Sequence, residues 1–171
     1  MISDLLKLPL YDRITCMLFT FYSFVILQSN MRSYYKRLWG ISSTSTLDWI
    51  YWFGMAATVS LPVIGYCDED FGAIHGIAAV IFFTTATFSI FWISNEMVHH
   101  KDKLPGCEKE IATITTYRFV LLGCALALGV SFAIPHGHDF WVPFFEWSTT
   151  LLLLSCFGIL AQTNPFYDSI H

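Results

Sequence analysis

The sequence predicts an all-α protein, a multi-pass transmembrane helical bundle of about five spans in a single membrane domain. Of its 171 residues 55% are hydrophobic and only 13% charged, and the mean hydropathy is +0.55, values outside the range of soluble domains. Apolar runs of roughly 18 to 24 residues follow one another, near the ~20 residues that a helix needs to cross a bilayer core. These runs lack the alternation of barrel strands, and only helices then satisfy backbone polar groups in lipid.

The elements follow from the apolar runs in chain order. We place the five spans at about 14–31, 49–67, 71–94, 111–134 and 140–163. Residues 1–12 lack the pattern of a cleaved signal peptide, and we expect them to lie flat at the interface, with their leucines towards lipid. Tryptophans near the predicted ends match an aromatic belt.

Basic residues indicate the orientation. They fall in the loops after the first and third spans: Arg32, Lys36, Arg37, Lys101, Lys103 and Lys109. Positive loops stay on the side from which a chain is inserted, so this face is predicted to be cytoplasmic, or matrix-facing in a mitochondrion. The loops between the second and third and between the fourth and fifth spans then share the opposite, lumen-like face.

Two polar patches interrupt the apolar sequence on that lumen-like face. The predicted polar cluster consists of Asp68, Glu69, Asp70, His75, His136, His138, Asp139 and Glu146. Polar groups this close to the bilayer core are costly unless they are paired. We therefore expect the two patches to meet, with His75 and Glu146 within hydrogen-bond reach directly or through water.

The cluster has two interpretations. A hydrogen-bonded network that fixes helix register needs no ligand. Alternatively His75, His138 and Glu146 bind zinc, and a zinc-bound water hydrolyses lipid. No H-E-x-x-H motif or other established spacing is present. We therefore expect no metal, no catalytic residue and no cofactor beyond bound phospholipid, with zinc as the alternative.

Two further features concern the fourth span. Arg118 enters it from the basic side, and it either extends back to water or reaches across the bundle to Glu146.

Small residues allow helix backbones to approach closely in lipid. Gly72 and Gly76 in the third span, with Gly123 and Ala127 in the fourth, are therefore expected to mark the contact between these two spans.

Residues 68–168 resemble the membrane family that contains the damage-regulated autophagy modulators, the FGF-receptor-activating protein and the post-GPI-attachment remodelling factor. The resemblance lies in an acidic residue before Ile74-His75, the loop His136-Gly137-His138-Asp139, and the run Phe144-Phe145-Glu146-Trp147. It implies a helical membrane fold, with Asp70, His75, His138 and Glu146 as the shared polar cluster. The family usually has six spans rather than five. Its members are implicated in GPI-anchor remodelling, autophagy and membrane-lipid organisation, and no catalytic mechanism follows.

Three functions remain open. The first is a non-catalytic, lipid-contacting structural or accessory subunit of a larger membrane assembly, for example in the mitochondrial inner membrane. The second is GPI-anchor lipid remodelling or lipid organisation in endomembranes, and the third is a metal-dependent lipid hydrolase. The expected partners are membrane lipids and other membrane-protein subunits. A formal net charge of -4 argues against nucleic acid.

Overall fold

The computed structural model describes residues 9–67, 72–104, 106, 108–132, 134 and 140–162, and within them every regular element is helical. Helix α1 consists of Pro9–Phe21, a π-helical segment Tyr22–Leu27, and Gln28–Leu38. The other four are α2 (Thr44–Tyr66), α3 (Gly72–His99), α4 (Glu108–Ser131) and α5 (Trp141–Gln162), with a short 3-10 turn at Lys101–Lys103. The predicted all-α class is confirmed.

Three of these helices are long and apolar enough to cross a membrane: Thr44–Tyr66, Ala73–His99 and Ile111–Ser131. The chain is therefore a multi-pass integral membrane protein by this criterion, but the described residues do not give the predicted five spans. The first predicted span is divided by the π-helical segment, so it is not one regular α-helix. The last begins with Pro143 and Glu146 in its first turns, and its side chains are described only as far as Cys156.

Helix boundaries also differ from the predicted ones. Helix α2 begins at Thr44, because the Ser43 side chain accepts a hydrogen bond from the Thr46 backbone N–H and caps the helix. The predicted start at residue 49 therefore falls inside α2. Helix α3 extends beyond the predicted residue 94 to His99. Both helices extend beyond their apolar runs into polar residues, because a helix continues through the polar boundary of a membrane.

Consecutive helices pack side by side. The most extensive contact is between α2 and α3, followed by α4 with α5 and α3 with α4, while α1 packs on α2. Helix α5 makes smaller contacts with both α3 and α1, which brings the last helix back against the first. A continuous core of buried side chains joins the helices, including Leu27, Ile90, Ile114, Leu121 and Leu153.

Close backbone approach occurs between α1 and α2. A Cβ at Gly54 would collide with the Met31 side chain, and a Cβ at Gly65 would lie 3.3 Å from the Cys16 Cα. Hydrogen bonds join the same helices, since the Ser23 hydroxyl donates to the Thr58 carbonyl at 2.8 Å. The contact resembles the small-residue packing of membrane helices, with a polar bond added.

The glycines expected between the third and fourth spans are not packed in this way. A Cβ at Gly76 or at Gly123 would have no atom within 4 Å. Gly72 begins α3, and Ala127 is half-buried in α4. Helices α3 and α4 do pack together, but Gly76 and Gly123 are exposed and do not lie in that contact. The expectation for these two glycines was wrong.

Candidate functional site

A cavity of about 80 Å³ lies among α1, α2, α3 and α5. Helix α1 contributes Phe19 and Tyr22, and α2 contributes Leu61 and Ile64. The cavity forms where α5 contacts α3 and α1 only lightly, whereas consecutive helices pack extensively. It is therefore bounded by the least tightly packed part of the bundle.

His75 reaches the cavity from the start of α3. Its Nδ1 lies 2.6 Å from the Cys67 carbonyl oxygen at the end of α2. A carbonyl only accepts hydrogen bonds, so Nδ1 carries a proton and donates it to this bond. The bond fixes the imidazole between the end of one helix and the beginning of the next, and it leaves one ring nitrogen for other chemistry.

Beyond His75, α3 lines the cavity with apolar side chains. These are Ala79, Phe82 and Phe83, of which Phe82 is buried and in contact with Phe83 in an edge-to-face arrangement, with ring centroids 5.3 Å apart. They occupy the turns of α3 that follow His75. The α3 wall therefore changes from polar to apolar with distance from the start of the helix.

Glu146 and Thr150 reach the same cavity from α5, and Leu153 and Leu154 follow them. Both Glu146 and Thr150 are half-buried. The Thr150 hydroxyl donates to the Glu146 carbonyl at 2.8 Å, so it is satisfied within its own helix. His75 and Glu146 thus line one cavity, and the hydrogen bond between them stays a prediction.

The other members of the polar cluster lie outside the described residues: Asp68, Glu69, Asp70, His136, His138 and Asp139. In the part of the chain that the structure describes, no three His, Cys, Asp or Glu side chains are placed to hold a metal ion. Since His138 is one of the three proposed zinc ligands, the zinc alternative also stays a prediction.

Arg118 adopts neither of its expected positions. Its side chain is only 8% exposed, so it does not extend to water, and its guanidinium donates to the Asn95 side-chain oxygen on α3. The guanidinium carbon lies 4.7 Å from the Phe119 ring centroid and 5.6 Å from that of Phe91, distances typical of cation–π contacts. Arg118 pairs with Asn95 because α3 packs beside α4 and provides the nearest acceptor. Glu146, in contrast, lies near the start of α5, at the opposite end of the bundle.

Sequence reasoning missed Asn95 and the two α1 residues of the cavity. Asn95 had little readable signal, because it lies one residue beyond the predicted end of the third span at residue 94. Phe19 and Tyr22 had none, because aromatic residues in a span are ordinary. Tyr22 begins the π-helical segment, and such segments are frequent at functional sites.

Comparison with known proteins gives no match to a family model, to a characterised protein or to a solved structure. The resemblance to the autophagy-modulator and GPI-remodelling family therefore remains a prediction from a few polar residues. Any function has to be argued from the geometry of the bundle and its cavity.

Proposed function

We propose that this chain is a non-catalytic membrane protein that acts as a lipid-contacting structural or accessory subunit of a larger membrane assembly. The observation that supports the proposal is a set of exposed large apolar side chains on all five helices. They include Met17, Phe21, Phe24, Trp52, Val59, Ile77, Val80, Phe119, Leu126, Val130, Phe144 and Leu151. Soluble monomers rarely expose so extensive an apolar surface, whereas lipid and neighbouring membrane helices cover one.

Hydroxyl groups on the same surface support contact with lipid. The Thr84 and Thr113 hydroxyls each donate to the carbonyl four residues earlier, at 2.6 and 2.8 Å, and the Ser155 hydroxyl does the same at 2.8 Å. In lipid a polar group must be satisfied within its own helix. Hydroxyls used in this way are also not poised as nucleophiles, which favours a non-catalytic role.

The proposal includes five crossings rather than three. Exposed aromatic side chains lie towards both ends of the bundle, with Trp39, Trp49 and Trp52 at one end and Tyr66 and Trp141 at the other. Aromatic belts of this kind mark the two interfaces of a bilayer. Helices α1 and α5, like the three long apolar helices, carry exposed apolar side chains between these two levels. This supports one membrane span at α1 and another at α5.

Charge supports the proposed orientation. Arg32 and Lys36 of α1 and Lys101, Lys103 and Lys109 near the α3–α4 turn are all exposed. This basic end would face the cytoplasm in an endomembrane or the matrix in the mitochondrial inner membrane. The proposed partners are other membrane-protein subunits, which would cover part of the aromatic surface.

A second candidate function is lipid remodelling or hydrolysis. It is favoured by one observation, the placement of His75 and Glu146 on a single cavity. An imidazole and a carboxyl group are the usual parts of acid–base chemistry. No described serine, threonine or cysteine lines the cavity as a nucleophile apart from Thr150, whose hydroxyl is bonded to its own helix.

One experiment separates the two functions. The chain is deleted from its host, and the membrane complexes are compared on native gels before and after re-expression of the wild type and of a His75→Asn, Glu146→Gln variant. The subunit proposal predicts that a complex is lost on deletion and restored by both forms. Intact complexes after deletion, together with a change in lipid composition that only the wild type reverses, would decide for the enzyme.

A further inference from the structure

We propose that the cavity among α1, α2, α3 and α5 is a binding site for one acyl chain of a membrane phospholipid. The inference rests on the proposed function, because it requires that these helices lie in a bilayer. Two of the walls, α2 and α3, are helices long and apolar enough to cross a membrane. A chain from the surrounding lipid is thus the nearest apolar molecule to the cavity.

The polarity of the walls follows that of a lipid. Helices α3 and α5 both begin at the same end of the bundle, and two ionisable residues of the cavity, His75 and Glu146, belong to their first turns. The third, Tyr22, comes from α1. Phe83 and Leu154 lie eight residues further on, which is ~12 Å at ~1.5 Å per residue. The cavity therefore has an imidazole and a carboxyl group at the level of the membrane surface, and phenylalanine and leucine side chains line it at the level of the hydrocarbon.

Size and chemistry select the part of the lipid that enters. At about 80 Å³ the cavity is too small for a whole lipid, so only a segment of one acyl chain enters it. Most of the lining side chains are apolar, Phe82, Phe83 and Leu153 among them, whereas each buried water needs two to four polar partners. A chain segment instead supplies the dispersion contacts that an empty apolar space lacks.

The local structure of α1 agrees with a site at this place. Tyr22 lines the cavity and is the first residue of the π-helical segment, which ends at Leu27. A π-helical turn costs helix regularity and is commonly retained where it positions a functional side chain. In this chain its first residue contributes an aromatic ring to the cavity lining.

The test uses the full-length protein in phosphatidylcholine vesicles that contain a phosphatidylcholine with a photoactivatable diazirine at the end of one chain. After illumination, labelled residues are mapped by mass spectrometry. Ile77 and Val80 are exposed on α3 and report the lipid around the bundle, whereas Phe82 and Leu153 are 6% and 1% exposed and report the cavity. We expect label at all four positions.

A filled cavity should exclude the chain. Ala79→Leu adds bulk to the cavity wall, and Ala73→Leu adds the same bulk at an exposed position of the same helix. The leucine side chain takes up space that the acyl chain would occupy, so we expect Ala79→Leu to reduce label at Phe82 and Leu153 by about fivefold or more, with label at Val80 unchanged. Ala73→Leu should leave all labels as in the wild type.

Each outcome has one meaning. Label at Ile77 and Val80 but none at Phe82 and Leu153 would overturn the acyl-chain site and leave the proposed function standing. Absence of label at Ile77 and Val80 would refute lipid contact itself. Undiminished cavity label in Ala79→Leu would also overturn the site. If that variant does not fold, Leu154→Trp at the half-exposed edge of the cavity makes the same comparison, and it must reduce cavity label for the proposal to stand.

Discussion

Gly54→Ala tests how closely α1 and α2 pack. The added Cβ would collide with the Met31 Sδ and lie 2.6 Å from the Met31 Cγ, and Met31 is only 2% exposed, so it has little room to move aside. Overpacking of this kind costs ~1–3 kcal/mol. Replacing a helical glycine by alanine also gains ~0.5–1 kcal/mol, which has to be subtracted.

Gly123→Ala provides the matched control. It makes the same chemical change in a helix, but the new Cβ has no atom within 4 Å. The gain in helix propensity is common to both variants and cancels in their difference. The free energy of unfolding of Gly54→Ala should therefore be lower than that of Gly123→Ala by ~1–3 kcal/mol.

The assay is reversible unfolding in mixed micelles titrated with sodium dodecyl sulfate, followed by tryptophan fluorescence. A double-mutant cycle with Met31→Ala should show that the penalty at Gly54 depends on Met31. Equal stability of Gly54→Ala and Gly123→Ala would refute the packing of α1 on α2. Destabilisation by Gly123→Ala alone would restore the interface expected from the sequence.

Three further predictions use the same protein. Asn95→Leu removes the acceptor of a buried guanidinium and should lower the free energy of unfolding by ~1.5–3 kcal/mol in the same assay, whereas Asn95→Asp keeps an acceptor and should not lower it. Equal losses in the two variants would show that Arg118 does not depend on this acceptor. His75→Ala removes the bond to the Cys67 carbonyl and should cost ~0.5–1.5 kcal/mol, and no loss of stability would mean that the bond is absent. Lys103→Cys, in a chain whose native cysteines are replaced by serine, should react with an impermeant maleimide only from the cytoplasmic or matrix side. Reaction from the lumen-like side would show that the proposed orientation is reversed.

Composition and the length of the apolar runs were enough to predict an all-helical membrane protein. The lipid bilayer, as the solvent, sets both requirements, and neither depends on tertiary contacts. The number of spans was harder to predict. The π-helical segment Tyr22–Leu27 falls in an apolar run that looks uniform in sequence, and it has no distinctive residue pattern. Hydropathy measures how apolar a run is, not whether its helix is regular.

Helix contacts were predicted less well for a similar reason. Glycine and alanine are common throughout membrane helices, so a G-x-x-x-G spacing does not reveal which face meets a neighbour. Gly54 and Gly65 face α1 and carry the close approach, whereas Gly76 and Gly123 lie in open space. Which face of a helix meets a neighbour depends on the rotation of the helix about its own axis, and the packing of the whole bundle sets that rotation.

The polar residues of the site were easier to find than the cavity itself. His75 and Glu146 are conspicuous in apolar surroundings, since lipid makes each of them costly. The cavity depends on aromatic side chains from α1 and α3 and on the light packing of α5 against these two helices, which no local pattern encodes. The same limitation hid Asn95, whose role depends on which helix lies beside α4.

The mass of the native particle tests the central claim most directly. The chain is extracted from its own membrane in polymer-bounded lipid discs, without detergent, and the protein mass of the disc is measured together with the identity of every polypeptide in it. A subunit of a larger assembly predicts a protein mass well above 19.5 kDa, with the same companion polypeptides in each preparation at fixed ratio. Discs that contain this chain alone at 19.5 kDa would contradict the account.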